Sequence, residues 1–488
     1  MALVDHREIV RVLLAAMVSM FLGALDQSIV ATALPSIGHD LNALTLLAWV
    51  ISAYMLSMTA ATPVVGKLSD IHGRKQTLRY CTIVFAASSV VCGSAKNMPL
   101  LVAGRLLQGL GGAGLITIAQ ATIADIVAPR ERGRYVGYIA AVWGSSALIG
   151  PLLGGVLTEY LNWRWIFFIN IPLAGIVLYL SEKRLPSRAR AHLGARIAYI
   201  DAALFSAATA ALLLGLTLGG VSFPWKSTPV LACFGGAALL GIVFAIRERS
   251  VAEPIIPPRF MVDPVTAPLF AVAFVVYGLY FTIAVLVPMY FQLGLDQAPT
   301  QAGAFLVPIL LSNSVLALWS GHYVSRTGTY HLPAMLGFPM VIIALVVLGL
   351  FATQLTVTQS VSLLIVAGLG IGPMLPILNV VAQNAAPVED TGAVIGALAF
   401  FRMVGGTVLS AAGTAVIMYR VNLDSSLADL VYTDPRLIPA ATRLAVRSAF
   451  GEIFLGGAAA LLVALIVFRM IEHRPLRSSR DTPSVDTD

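Results

Sequence analysis

Apolar residues in this chain come in long unbroken runs, without the alternation of a half-buried strand or the narrow stripe of a surface helix. About 20 apolar residues in helical conformation cross one bilayer. Fourteen runs reach that length, near 10–34, 46–66, 77–95, 99–126, 134–158, 163–181, 199–219, 229–247, 266–291, 300–322, 333–353, 360–384, 391–418 and 448–471. Polar residues gather in the short stretches between them. The pattern predicts an all-α polytopic membrane protein. The first run is too long for a cleavable leader and lacks a small-residue cleavage site, so it is expected to stay as the first span.

The cationic residues then set the orientation. With the N-terminus in the cytoplasm, 22 lysines and arginines fall on the cytoplasmic side and 7 on the other. Both termini are expected inside. The seven on the outer side include Arg420, Arg436, Arg443 and Arg447 before the last span, where loop charge weighs less in setting topology.

Two strings recur along the chain. Gly66 to Gly73 (GKLSDIHG) returns as Gly321 to Gly328 (GHYVSRTG), and Ala128 to Gly137 (APRERGRYVG) as Ala386 to Gly396 (APVEDTGAVIG). Spans 1–6 therefore match spans 9–14, with two spans inserted between. Parallel repeats of this kind place a transport path at the interface between halves. The expected division is a six-helix bundle over 1–182, two linker helices over 183–260, a second six-helix bundle over 261–472 and a disordered cytoplasmic tail over 473–488.

Composition removes other classes. Hydrophobic residues make up 58% of the chain and charged ones 11%, against roughly 25% charged in soluble domains. The net charge of +7 comes from arginines scattered between apolar runs, which is no nucleic-acid footprint. Cys81, Cys92 and Cys233 lie inside apolar runs and imply no disulfide framework. All seven histidines fall in loops or at span ends, with no HExxH pair, and no nucleophile motif accompanies them. Lys67 follows Gly66, but Ala61 and Leu68 break the phosphate-loop pattern, so an ATP-driven pump is disfavoured. No metal site or enzyme activity is expected. The short tail offers no signalling domain.

Three ionisable residues fall well inside the runs: Asp26, Arg105 and Arg402. Each costs on the order of 2.5–3.5 kcal/mol at a helix centre, so each should face a cavity and a partner. Counted from the outer ends of their spans, Asp26 and Arg105 lie about 12 Å and about 9 Å deep, and are expected to be neighbours. Asp26 is then either a proton-carrying carboxylate or half of a fixed ion pair. Arg402 either binds an acidic group or bonds to backbone carbonyls. Tyr54, Gln108, Asn313, Asn379 and Gln383 are further candidates for the path, the last two sharing a face at i,i+4.

Several strings together resemble one family. GKLSDIHGRKQ over Gly66 to Gln76 is similar to the loop between helices 2 and 3 of major facilitator superfamily transporters, with Ile71 where an arginine is usual. Gly150, Pro151, Gly154 and Gly155 in span 5 resemble the antiporter-associated motif, with Ser146 at its first, less strict glycine position. LDQSIVATALP (Leu25 to Pro35), GRLLQGLGGAG (Gly104 to Gly114) and WRWIFFINIPLAG (Trp163 to Gly175) narrow the resemblance to the DHA2 family of fourteen-span drug:proton antiporters.

That resemblance implies a major facilitator fold and proton-coupled multidrug efflux of hydrophobic, often cationic, compounds. It gives Asp26 and Arg105 coupling roles, and makes Gly66, Asp70, Gly73, Arg74, Lys75 and Asp125 a cytoplasmic gate, with Asp125 as the partner of Arg74. The expected setting is a monomer in the bacterial inner membrane, working with protons, a small-molecule substrate and no cofactor beyond the proton gradient. A periplasmic adaptor is left open, and nucleic acid is not a partner. The alternative on the same fold is a transporter of one metabolite, such as a sugar, siderophore or organic acid.

Overall fold

The computed structural model describes residues 6–41, 47–126, 132–185, 199–219, 223–251, 254–387, 390–421 and 439–472. The described residues are almost wholly helical, apart from one isolated bridge between Gly219 and Phe223. The first group of helices is α1 (His6–Asp40), α2 (Leu47–His72), α3 (Arg74–Gly93), α4 (Met98–Ile126), α5 (Arg132–Tyr160), the short α6 (Trp165–Phe168) and α7 (Asn170–Arg184). A pair follows, α8 (Tyr199–Leu218) and α9 (Thr228–Glu248). The remainder are the short α10 (Arg259–Val262), α11 (Thr266–Met289) with a π-helical turn at Tyr290–Gly294, α12 (Pro299–Thr327), α13 (His331–Leu350), α14 (Val357–Ala385), α15 (Thr391–Val421) and α16 (Ala440–Arg469).

Among the described residues, twelve helices are long and apolar enough to cross a membrane, with α6 and α7 forming one of them. The sequence pattern expects fourteen. The difference is α3 and α5, helices of 20 and 29 residues that are less apolar. α3 opens on Arg74, Lys75 and Gln76 and carries Arg79, while α5 opens on Arg132 and Arg134 and runs through a Gly-Ser-Ser stretch at 144–146. Helix ends also pass the apolar runs. α1 continues to Asp40 and α16 begins at Ala440, because hydropathy marks the part that meets lipid and the backbone bonds continue into polar sequence. The tail at 473–488 and most of the outer loop between α15 and α16 lie outside the described residues.

Glycine spacing explains how the two repeats pack alike. On α4, a Cβ at Gly111 would sit 2.7 Å from the Cys81 carbonyl of α3, and one at Gly109 would press on the Tyr54 carbonyl of α2. On α14, a Cβ at Gly370 would sit 2.7 Å from the Gly337 carbonyl of α13, and one at Gly372 would meet the Asn313 carbonyl of α12. In each repeat the small residues of one helix seat two neighbours at backbone contact, the membrane substitute for a hydrophobic driving force. α1 docks on α5 the same way, with Gly150 against Ser28 and Gly154 against Thr32 and the Ile29 carbonyl. Ser28 Oγ seals that contact by donating to the Ser146 carbonyl at 2.8 Å.

The halves meet along α2 and α15 and along α5 and α12. α8 packs on both α2 and α15: Ser206 Oγ donates to the Ala60 carbonyl at 3.3 Å, and the Phe205 ring lies 4.9 Å from that of Phe400.

Candidate substrate path and cytoplasmic gate

Asp26 on α1 and Arg105 on α4 form a direct pair, Nη1 to Oδ2 at 2.7 Å. Both side chains are essentially fully buried. Gln108, nearly one turn from Arg105, accepts from the same Nη1 at 2.7 Å and donates its Nε2 to Asp26 Oδ1 at 3.0 Å and to Ser89 Oγ at 2.7 Å. Asn170 at the start of α7 adds a third donor to the carboxylate, Nδ2 to Oδ1 at 2.8 Å. Arg105 Nε donates to the Val50 carbonyl at 2.9 Å, and its guanidinium lies 4.2 Å from the centre of the Tyr54 ring. Among the described residues the buried Tyr54 hydroxyl has no hydrogen-bond partner within bonding geometry. Four helices of the first repeat thus close around one carboxylate.

The neighbours expected from helix depth are therefore brought together, along with Tyr54 and Gln108. Sequence reasoning missed Asn170 and Ser89. The signal for Asn170 was an amide between two isoleucines, in a string read only as a family marker. Ser89 carried none, since a serine in an apolar helix usually bonds its own backbone.

The gate builds on a turn. Gly73 has φ 88°, a left-handed backbone open to glycine at little cost, and there α2 stops and α3 begins. The reversal aims Arg74 back at α2. Its Nη2 meets Asp70 Oδ1 at 2.7 Å and its Nε meets Asp125 Oδ2 of α4 at 3.0 Å, while Nη1 donates to Ser69 Oγ. Asp70 reaches across to the other half. Its Oδ1 accepts the Gly392 N–H at 3.0 Å and its Oδ2 the Ala393 N–H at 2.8 Å. These are unsatisfied amides in the first turn of α15, where the helix dipole favours an anion. The contact needs bare backbone, because a Cβ on Gly66 would lie 2.5 Å from the Gly392 carbonyl.

Around this core, Asp390 pairs with Arg259 and stands 3.9 Å from Lys67 Nζ. Lys75 turns away to Glu182 at the end of α7, at 3.2 Å. Lys67, Arg259, Asp390 and the Gly392–Ala393 amides belong to this seam, and sequence reasoning had assigned none of them to the gate.

The second repeat holds the remaining candidates more loosely. Asn379 Nδ2 donates to the Tyr277 hydroxyl at 3.0 Å and to the Leu375 carbonyl at 2.9 Å. Tyr277 in turn donates to that carbonyl at 3.1 Å, one residue before Pro376, which removes a helix donor. The Arg402 guanidinium lies 3.9 Å from the centre of the Tyr277 ring. Asn313 lines a small recess with Tyr280, Ile283, Leu306, Ile309 and Ile371. Gln383 is half-buried and stands apart from this group. Gly150 and Gly154 of the antiporter-type motif seat α1, whereas Gly155 faces open space and Pro151 is exposed.

Comparison with known proteins gives the same picture. The Major Facilitator Superfamily model matches residues 16–410. The Efflux pump dotC of Dothistroma septosporum is 31% identical over 443 residues, covering 90% of this chain and 75% of its own. The Multidrug transporter protein MdtP of Bacillus subtilis is 32% identical over 395 residues, covering 80% and 72%. In fold, the human organic anion transporter MFSD10 superposes with TM-score 0.65 at 16% identity, covering 94% of this chain and 99% of its own. The proton:xylose symporter XylE superposes with TM-score 0.62 at 14% identity, covering 96% and 97%. An all-helical chain with two similarly packed repeats, a family match across most of its length and efflux pumps among its relatives belongs to the Major Facilitator Superfamily, and is a multi-pass membrane transporter rather than an enzyme.

Proposed function

We propose that this chain is a proton-coupled efflux antiporter of the fourteen-span drug:proton class, moving hydrophobic compounds outward by alternating access. The observation that carries the proposal is the closed knot of Asp26, Arg105, Gln108 and Asn170. A buried carboxylate whose partners all come from one half can take a proton without help from the other half. Protonation removes its charge, weakens the hold on Arg105 and frees Gln108 and Asn170 to rearrange; deprotonation restores the set. Efflux-pump relatives spanning most of the chain support the outward direction.

In this reading α3 and α5 complete fourteen crossings. The 20 residues of α3 reach about 30 Å, the thickness of the hydrocarbon core. The termini lie in the cytoplasm, the chain works as a monomer in a bacterial inner membrane, and no cofactor is needed. With Asp70 docked on α15 the inner side is shut, and transport requires that contact to break and reform each cycle. Arg74 and Asp125 hold Asp70 in place.

The test uses everted membrane vesicles with a preformed pH gradient. Addition of a transported compound should dissipate the gradient with wild-type protein and not with Asp26→Asn, which should still bind the compound. Normal proton movement by Asp26→Asn would overturn the coupling role. Proton flux in the same direction as the compound would favour a metabolite symporter on this fold instead.

A further inference from the structure

The charge exposed to the path differs from what Asp26 alone suggests. Asp26 is enclosed by its own half and fully paired, so it offers a cationic compound no open carboxylate in this conformation. Arg402 is the reverse. It lies eleven residues into α15, about 16 Å from that helix's inner end. Among the described residues it has no carboxylate partner and no hydrogen bond; its contact is with the face of Tyr277. Arg105, by contrast, is fully buried and has three acceptors, whereas Arg402 is half-buried. A cation–π contact with one ring face uses none of the five guanidinium N–H donors.

The direction Arg402 takes follows from its neighbours on the helix. Gly392, Gly396 and Met403 face the first repeat. Phe401 and Gly405 face Phe270 and Phe274 of α11. At about 100° per residue Arg402 falls between these two faces, about 160° around the helix from Phe400, which meets α8. It therefore points to the interior angle between the halves. Tyr280, one turn from Tyr277, opens the apolar recess that runs to Ile309 and Ile371.

We infer that Arg402 is a subsite for an amphipathic organic oxyanion, with the anionic group on the guanidinium and the apolar body lying in the path beside Tyr277 and Tyr280. The inference names a substrate class for the transporter proposed above and rests on that reading for its biological meaning, but binding can be measured with no proton coupling. An oxyanion could also come from a lipid headgroup, and the arms of the test separate the two sources.

The probes are 1-pyrenebutyrate, its alcohol 1-pyrenebutanol and its amine 1-pyrenebutylamine, titrated onto purified protein in nanodiscs of phosphatidylcholine. Wild-type protein should bind the carboxylate at least about tenfold more tightly than the alcohol or the amine, as a charge-assisted hydrogen bond predicts. Arg402→Gln should erase that preference while binding the alcohol as wild type does, which also shows that it is folded. Arg402→Lys should keep part of the preference. Equal wild-type affinity for carboxylate and alcohol overturns the inference whatever the variants do, and so does a preference that survives in Arg402→Gln. If phosphatidylglycerol nanodiscs abolish the wild-type preference, the headgroup phosphate is the occupant and the substrate assignment is overturned.

Discussion

Asp70 and Gly392 are 322 residues apart in sequence, and the carboxylate of one accepts the backbone N–H of the other at 3.0 Å. The contact joins the first copy of the glycine-bounded turn to the second copy of the APRERGRYVG string. One copy of each repeated motif thus meets the other across the seam between the halves.

Replacing the carboxylate should loosen the inner seam. Asp70→Asn keeps the shape but removes the charge that faces the first turn of α15 and Arg74, a loss of about 0.3–2 kcal/mol from the dipole contact alone. Spin labels on the facing ends of α2 and α15 should report a shift of about two- to thirtyfold in the equilibrium toward the separated state, with transport reduced. An unchanged distance distribution would mean that apolar packing holds the seam.

A steric version of the same test leaves all charges in place. Gly66→Ala puts a Cβ 2.5 Å from the Gly392 carbonyl, and overpacking of that kind costs about 1–3 kcal/mol. The cost falls only on the closed seam, so the variant should express and melt like wild type while accumulating with its inner side open. Accessibility of a cysteine introduced near the inner end of α15 to a membrane-impermeant thiol reagent in everted vesicles measures this directly.

Asn170 gives a prediction that the sequence motifs did not. Asn170→Ala removes one of three donors to Asp26 and should lower coupled transport by about tenfold, the scale of a hydrogen bond to a charged group. Compound binding should change less than twofold, since Asn170 lies behind the carboxylate. A parallel loss of binding would show that the amide supports the path itself.

At the end of α1, the hydrogen bond from Arg164, with a second from Trp163 Nε1, holds the Asp40 carboxyl below the usual carboxylate range. A depressed folded value means the contribution is present above about pH 4 and is lost as pH falls through the folded value. Both side chains are partly exposed, so solvent screening limits the pair to about 0.5 kcal/mol. Asp40→Asn should lower the melting temperature slightly at pH 7 and leave it unchanged near pH 2. An equal drop at both values would point to packing.

Hydropathy alone read most of the helices, because a span must satisfy its backbone internally and face lipid with apolar side chains. α3 and α5 are helices where hydropathy placed spans, but their first turns carry arginines and their apolar character is weaker. The depth of Asp26 and Arg105 was legible because rise per residue converts sequence position to height. What the sequence could not show was azimuth. Asp70 was read as a gate residue without its partner, since nothing in a backbone amide at Gly392 marks it as the acceptor's target. Arg402 was read as bound either to an acidic group or to backbone carbonyls, and only the packing of α15 sets it against the face of Tyr277.

The inserted pair adds a consequence for how compounds reach the protein from the lipid. α8 lies over the α2–α15 seam, tied to Ala60 on one half and Phe400 on the other, while among the described residues the α5–α12 seam makes no comparable contact with the pair. The molecule therefore has two unequal flanks, one roofed by protein and one bordered by bilayer. Under the efflux reading proposed above, a hydrophobic compound diffusing in the membrane plane would meet a shutter on one side and a doorway on the other.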